Sequence, residues 1–196
     1  MVFVFATRNK NKVNEINQLI PESIKVLSLH DVHCMEDIPE TEDTIEGNAA
    51  LKSFYVYEKY HHNCFADDTG LEIEALDNRP GVYSARYARV DCIADNNIAK
   101  VLDEMKGIEN REARFKTIIS LVIDGNEIQF EGIIKGSILN EKLGNNGFGY
   151  DSIFVPEGQS LSFAEMELTE KNKISHRAIA VNKLVEYLKK ILNPKS

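Results

Sequence analysis

A chain of 196 residues, 43% hydrophobic and 28% charged, can bury a core in one domain, and its scattered Gly and Pro leave no disordered or fibrous tract. Its formal net charge of -8 disfavours broad nucleic-acid binding, which rests on a basic surface, so an anionic ligand must be met by local positive charge. No apolar run approaches the roughly 20 residues of a membrane span, and three cysteines without disulfide-like spacing (Cys34, Cys64 and Cys92) read as core residues of a reducing, cytoplasmic compartment.

Val2 to Ala6 is apolar and β-favouring and predicts a buried strand. Val13, Ile16, Leu19 and Ile20 then recur at helical spacing, so Thr7 to Lys12 bridges a strand end and a helix start. Ile24 to Leu29 alternates as a second strand and completes a β-α-β opening. Asp43 with Glu46 three residues later resembles a capping box. It precedes a long helix expected from Ile45 to about Tyr60, with Asn48 and Lys52 on one face, one turn apart. His61 and His62 fall near its end, where the dipole favours positive charge, and their irregular spacing from His30 and His33 argues against zinc.

Cys64 to Ala66 predicts a short inner strand ending at Asp67-Asp68-Thr69-Gly70, and Leu71 to Leu76 predicts a half-exposed strand. Ile98, Val101, Leu102 and Met105 mark a helix that Gly107 stops. Ala113 to Ile123 and Ile128 to Ile134 are β-rich runs joined by the hairpin signal Asp124-Gly125-Asn126. The last helix is expected from about Ser175, with Val181, Leu184, Val185, Leu188 and Ile191 on one stripe, closing before Pro194. The reading is an α/β fold over residues 1–196: a mixed β-sheet flanked by helices, in two lobes with a cleft.

Five segments carry candidate chemistry. Thr7-Arg8-Asn9-Lys10-Asn11-Lys12 puts a hydroxyl, an amide and lysines at a strand-to-helix junction, where free N–H groups and the helix dipole favour phosphate; it reads equally as a plain cap. Asp67-Asp68 sets two carboxylates side by side, and alternation along a strand turns them to opposite faces, so one of them can bind Mg²⁺ and orient a water; a simple turn is the alternative. Gly144 to Asp151 brackets Phe148 and Tyr150 with glycines, a loop suited to a flat ligand or to a bent connector. Ser175-His176-Arg177, with Lys171 and Lys173 upstream, offers donors at a helix start. The acidic run Glu40, Glu42, Asp43 and Glu46 suits a hard cation or a charged helix terminus, and Lys52 can reach a phosphate.

In their order, ATRNKNK, ETEDTIEGNAALK, ADDTGLEIEAL, PGVYSARYA, GNNGFGYDSIF and EKNKISHRA resemble the inosine triphosphate pyrophosphatase family, which acts on noncanonical purine nucleoside triphosphates. The resemblance implies an elongated two-lobed α/β homodimer that binds nucleotide and Mg²⁺ in its cleft. By position it makes Asp68 the metal ligand and general base and gives Lys12 and Lys52 the phosphate charge. Thr7, Arg8, Asn9, Lys10, Asn11 and Lys12 would bind the triphosphate and Thr69 would touch the substrate. Phe148, Gly149, Tyr150, Asp151, Lys171, His176 and Arg177 would hold the base and its surroundings, with Phe148 stacked on the purine. Where many members carry two adjacent acidic residues this chain has Pro39-Glu40-Thr41, so Glu40 or Glu46 takes the first metal carboxylate's place, with Glu40 preferred. A Maf-type pyrophosphatase of other base preference and a non-catalytic nucleotide sensor are the rival expectations.

Overall fold

The computed structural model of the chain describes residues 2–89 and 92–192, and the helix stop expected at Pro194 lies outside them. The described residues fall into two compact units, one drawn from 1–68, 117–132 and 177–196, the other from 69–116 and 133–176. Among them seven strands form one mixed sheet in the order β2-β1-β3-β5-β6-β7, with β4 paired to β3. The strands are β1 (Val2–Phe5), β2 (Lys25–Leu27), β3 (Cys64–Ile73), β4 (Arg79–Gly81), β5 (Glu112–Ile123), β6 (Asn126–Ile138) and β7 (Phe154–Pro156). The helices are α1 (Lys10–Leu19), α2 (Ile45–Tyr60), α3 (Ala94–Glu104), α4 (Leu168–Ile174) and α5 (His176–Leu192). β1 runs parallel to β2 and β3, as a β-α-β opening requires, whereas β4 and β7 pair antiparallel.

The first unit is organised by the two-residue period of its strands. Phe3 and Phe5 of β1, Phe65 of β3, and Ile119 and Leu121 of β5 pack with Ile16 of α1 and with Val181, Leu184 and Leu188 of α5. The alternate residues, Val4, Cys64, Ala66 and Val122, pack instead with Val56 of α2. Both sheet faces are therefore buried here, and each such large side chain contributes about 1.5–3 kcal/mol of burial. The second unit has its own core around Leu71, Ile73, Phe115, Phe154 and Phe163, with Ile98 and Val101 of α3.

Several expectations are corrected. β3 does not stop at Ala66 but continues through Asp67-Asp68-Thr69-Gly70 to Ile73, after which Glu74–Leu76 form a 3₁₀ turn rather than more strand. Distant cations hold both aspartates in the ladder and override their turn preference. The cap of α2 is Thr44, not Asp43: its Oγ1 accepts the Gly47 N–H at 3.0 Å. Thr44→Ala is expected to cost about 1 kcal/mol in chemical denaturation, whereas Asp43→Ala leaves the midpoint where it was. Ser175 is an extended joint between the unforeseen α4 and the start of α5. Cys34 and Cys64 are buried as expected, but Cys92 is exposed. The hairpin turn is Asp124-Gly125, both at positive φ (49° and 81°), the geometry that a two-residue turn between strands demands.

Candidate active site

In the first unit the alternation of β3 sends its two aspartates to different partners. Asp67 shares the parity of Phe65 and meets α1 and α5: its carboxylate accepts Arg177 Nε at 3.1 Å and lies 3.0 Å from Lys12 Nζ. Arg177 in turn donates to Glu15 of α1, and all three groups of this triad are buried. Asp68 shares the parity of Ala66 and meets α2, where Lys52 Nζ lies 3.0 Å from its Oδ1 and 2.6 Å from Oε1 of Glu40. One ammonium thus joins Asp68 to the loop preceding α2, and among the acidic residues of that loop Glu40 is the one brought to Lys52.

Burial and charge pull these groups apart. For Asp67, burial pushes the carboxyl upward but Lys12, Arg177 and Lys52 outweigh it, so it stays ionised well below the usual carboxylate range. For Asp68 burial wins over Lys52 and Lys12, and its carboxyl is raised. Burial lowers the Lys12 ammonium more than Asp67 restores it. Burial also opposes the Lys52 ammonium, yet Asp68, Glu40 and Asp67 raise it above its ordinary value. Two adjacent carboxylates thus serve different ends: Asp67 is a fixed anion, and Asp68 is the more basic of the two.

Upstream of α1, Asn9 is the N-cap, and its side chain accepts the N–H groups of Asn11 (2.9 Å) and Lys12 (3.3 Å), while Thr7 Oγ1 accepts the Asn9 N–H. The strand-to-helix junction is where the sequence puts it. Asn9, Lys10 and Asn11 are exposed and Thr7 is half-buried, but Arg8 turns to Asp37 (2.7 Å) and to the Glu36 carbonyl.

The second unit gathers the loop and helix residues expected around the base. Asp151 Oδ2 accepts Lys171 Nζ at 2.6 Å and the Phe148 N–H at 2.8 Å, and both side chains are buried. A Cβ on Gly147 would lie 2.2 Å from that same oxygen, and φ is +71° there, so this tight fold of the loop requires glycine. The Lys171 ammonium lies 5.0 Å from the centre of the half-buried Phe148 ring. Tyr150 is buried and its hydroxyl donates to the Ser84 carbonyl. Gly149 is half-buried at φ +60°, and the His176 ring stacks on Phe115 with centroids 4.6 Å apart. Arg177, expected among the base contacts, is instead 1% exposed and directed to Asp67 and Glu15. Thr69, next to Asp68 in β3, is half-buried. Glu15 is the member of these clusters that reading the sequence misses, and with it the pairing of Asp67 to Lys12 and Arg177. The apolar stripe of α1 gives no sign that the neighbour of Ile16 is a buried carboxylate, although a buried arginine requires one.

Residues 3–187 match the model of the Ham1 family. The chain is 56% identical over 190 residues to a dITP/XTP pyrophosphatase of Christiangramia forsetii, covering 97% of this chain and 100% of the relative. It is 54% identical over 188 residues to one of Flavobacterium johnsoniae, covering 96% and 98%. Among solved structures it resembles the Ham1 protein of Staphylococcus aureus (TM-score 0.89, 35% identity, 97% of this chain and 100% of that one). It likewise resembles a HAM1 protein of Coxiella burnetii (TM-score 0.90, 33% identity, 97% and 99%). This chain belongs to the Ham1 family.

Proposed function

We propose that this chain hydrolyses noncanonical purine nucleoside triphosphates such as ITP, dITP and XTP to the nucleoside monophosphate and pyrophosphate, clearing them from the nucleotide pool. The observation that carries the reading is the buried Asp68, raised in basicity and joined through Lys52 to Glu40, in a chain so similar to relatives named dITP/XTP pyrophosphatases.

Asp68 takes the proton of a water that attacks the α-phosphorus, and the bond from that phosphorus to the β-phosphate oxygen breaks as pyrophosphate leaves. Lys52 and Lys12 face the charge that builds on the departing group, in a setting whose low dielectric strengthens each interaction. The Thr7 to Lys12 junction receives the phosphates on the helix N-terminus, with Thr7, Asn9, Lys10 and Asn11 as the nearest donors and Arg8 adding positive charge.

Mg²⁺ fits this donor set. Counting the buried Glu15, Asp67 and Asp68 together with the half-buried Glu40, the carboxylates of this cluster outnumber its cations Lys12, Lys52 and Arg177 by one. Among the described residues no three His, Cys, Asp or Glu side chains form a ready-made cage, and Mg²⁺ is typically held by one or two carboxylates together with substrate phosphates. Asp68 and Glu40 would hold it, and when bound it would supply charge neutralisation along the triphosphate.

The base contacts come from the second unit. Phe148 offers its ring for stacking, and Gly149, Tyr150 and Asp151 shape the loop that presents it. Lys171, His176 and Thr69 supply polar contacts, and the Lys171 ammonium beside the ring favours an acceptor, the 6-oxo group, over the 6-amino donor of adenine. We take Arg177 to act through Asp67. We further propose that the chain works as a cytoplasmic homodimer on free nucleotides, without nucleic acid or membrane. The dimer rests on the resemblance, and the net charge of -8 supports a ligand other than nucleic acid.

Turnover of dITP in ¹⁸O-water tests the bond broken. The label is expected in the monophosphate alone; label in pyrophosphate places the attack on the β-phosphorus and overturns the scheme.

A further inference from the structure

Glu40 lies on an irregular loop, yet it is kept at Lys52. α2 meets that loop at two further points. Asn48, wholly buried, uses its Oδ1 to accept the Glu42 N–H at 3.0 Å. At Gly47, an added Cβ would lie 2.8 Å from Glu42 Cβ and 2.9 Å from Thr44 Oγ1, so the Glu42 and Thr44 side chains pack on the helix as closely as they do because position 47 has no side chain.

The spacing matches. Asn48 and Lys52 lie four residues apart on one helix face, about 6 Å along the axis, and two loop residues span up to about 7 Å. As α2 runs forward from Asn48 to Lys52, the loop runs back from Glu42 to Glu40, so pinning Glu42 at Asn48 delivers the Glu40 carboxylate to Lys52 and, through it, to Asp68.

We infer that Asn48 and Gly47 are positioning residues that hold the Glu40 carboxylate in the Asp68–Lys52 cluster by clamping the loop at Glu42. This rests on the proposed role of Glu40 in metal binding. It goes further by assigning the work to two residues whose contacts are with the loop itself.

The test compares wild type with Asn48→Ala, Asn48→Asp, which keeps an acceptor in place, and Gly47→Ala, which keeps Asn48 intact. Two quantities are read on the full chain: amide hydrogen exchange at Glu42 without nucleotide, and the Mg²⁺ concentration giving half-maximal pyrophosphate release from dITP. Asn48→Ala and Gly47→Ala are expected to speed Glu42 exchange at least about tenfold while exchange in β1 and α5 is unchanged. They should also raise the Mg²⁺ requirement about tenfold or more, and Asn48→Asp should recover most of both. Unchanged Glu42 exchange in Asn48→Ala and Gly47→Ala overturns the clamp, as does faster exchange with the Mg²⁺ requirement unmoved. If wild type releases no pyrophosphate, the functional reading fails instead, and exchange at Glu42 alone then supports or overturns the clamp.

Discussion

Asp68→Asn is expected to lower pyrophosphate release by about 10³-fold or more while leaving the fold intact, because removal of a general base costs about 10²–10⁴ and a metal carboxylate is lost with it. Stability should not follow activity down. Burial raises the Asp68 carboxyl, which means the folded chain binds that proton more tightly than the unfolded one does, so the ionised group is a net burden to folding. Metal-free Asp68→Asn is therefore expected to unfold at the same temperature as wild type or above it near neutral pH. The difference should shrink as pH falls through the raised Asp68 value, where wild type takes up its proton. Lys52 stays paired with Glu40 in the variant, which keeps its ammonium from being stranded. Scanning calorimetry with chelator checks the stability claim. A clear loss of stability in Asp68→Asn would show that the ionised carboxylate supports the fold and would undercut its reading as a poised base.

Arg177→Met should behave in the opposite way, harming the fold first. Arg177, Asp67 and Glu15 are buried, and removing the arginine strips both carboxylates of the cation that joins them, leaving Asp67 with its ion pair to Lys12. Breaking a buried pair from one side costs about 3–5 kcal/mol, which for a chain of this size corresponds to a fall in Tm of about 10 °C. Adding Glu15→Gln should recover part of that loss, since it removes one stranded charge. A single variant as stable as wild type would contradict the ion triad. A double variant less stable than the single one would locate the loss in packing instead.

The legible part of the fold is the part written in local periodicity. The apolar run of Val2 to Ala6, the stripe of Val181 to Leu188 and the Asp124-Gly125 turn each carry their structure in adjacent residues, and each lies where expected. What failed is instructive. Asp67-Asp68-Thr69-Gly70 has the composition of a turn, and only partners as much as 110 residues away make it strand. The misplaced cap differs from the real one by a single residue, and the choice between Asp43 and Thr44 turns on backbone geometry that neither side chain announces. At the site, the alternation rule separated the two aspartates correctly, yet it could not say which neighbours each would meet. Arg177 reads as a ligand donor at a helix start, and its burial depends on Glu15, 162 residues away in sequence.

The chemistry assigned to the chain stands or falls on which triphosphates it cleaves and at which bond. Purified protein with Mg²⁺ is incubated separately with ITP, dITP, XTP, ATP, GTP and dTTP, and pyrophosphate and orthophosphate are measured. Pyrophosphate is expected from the first three, at rates far above the other three and without orthophosphate. Orthophosphate as the first product, a preference for dTTP, or no product from any of them would contradict it.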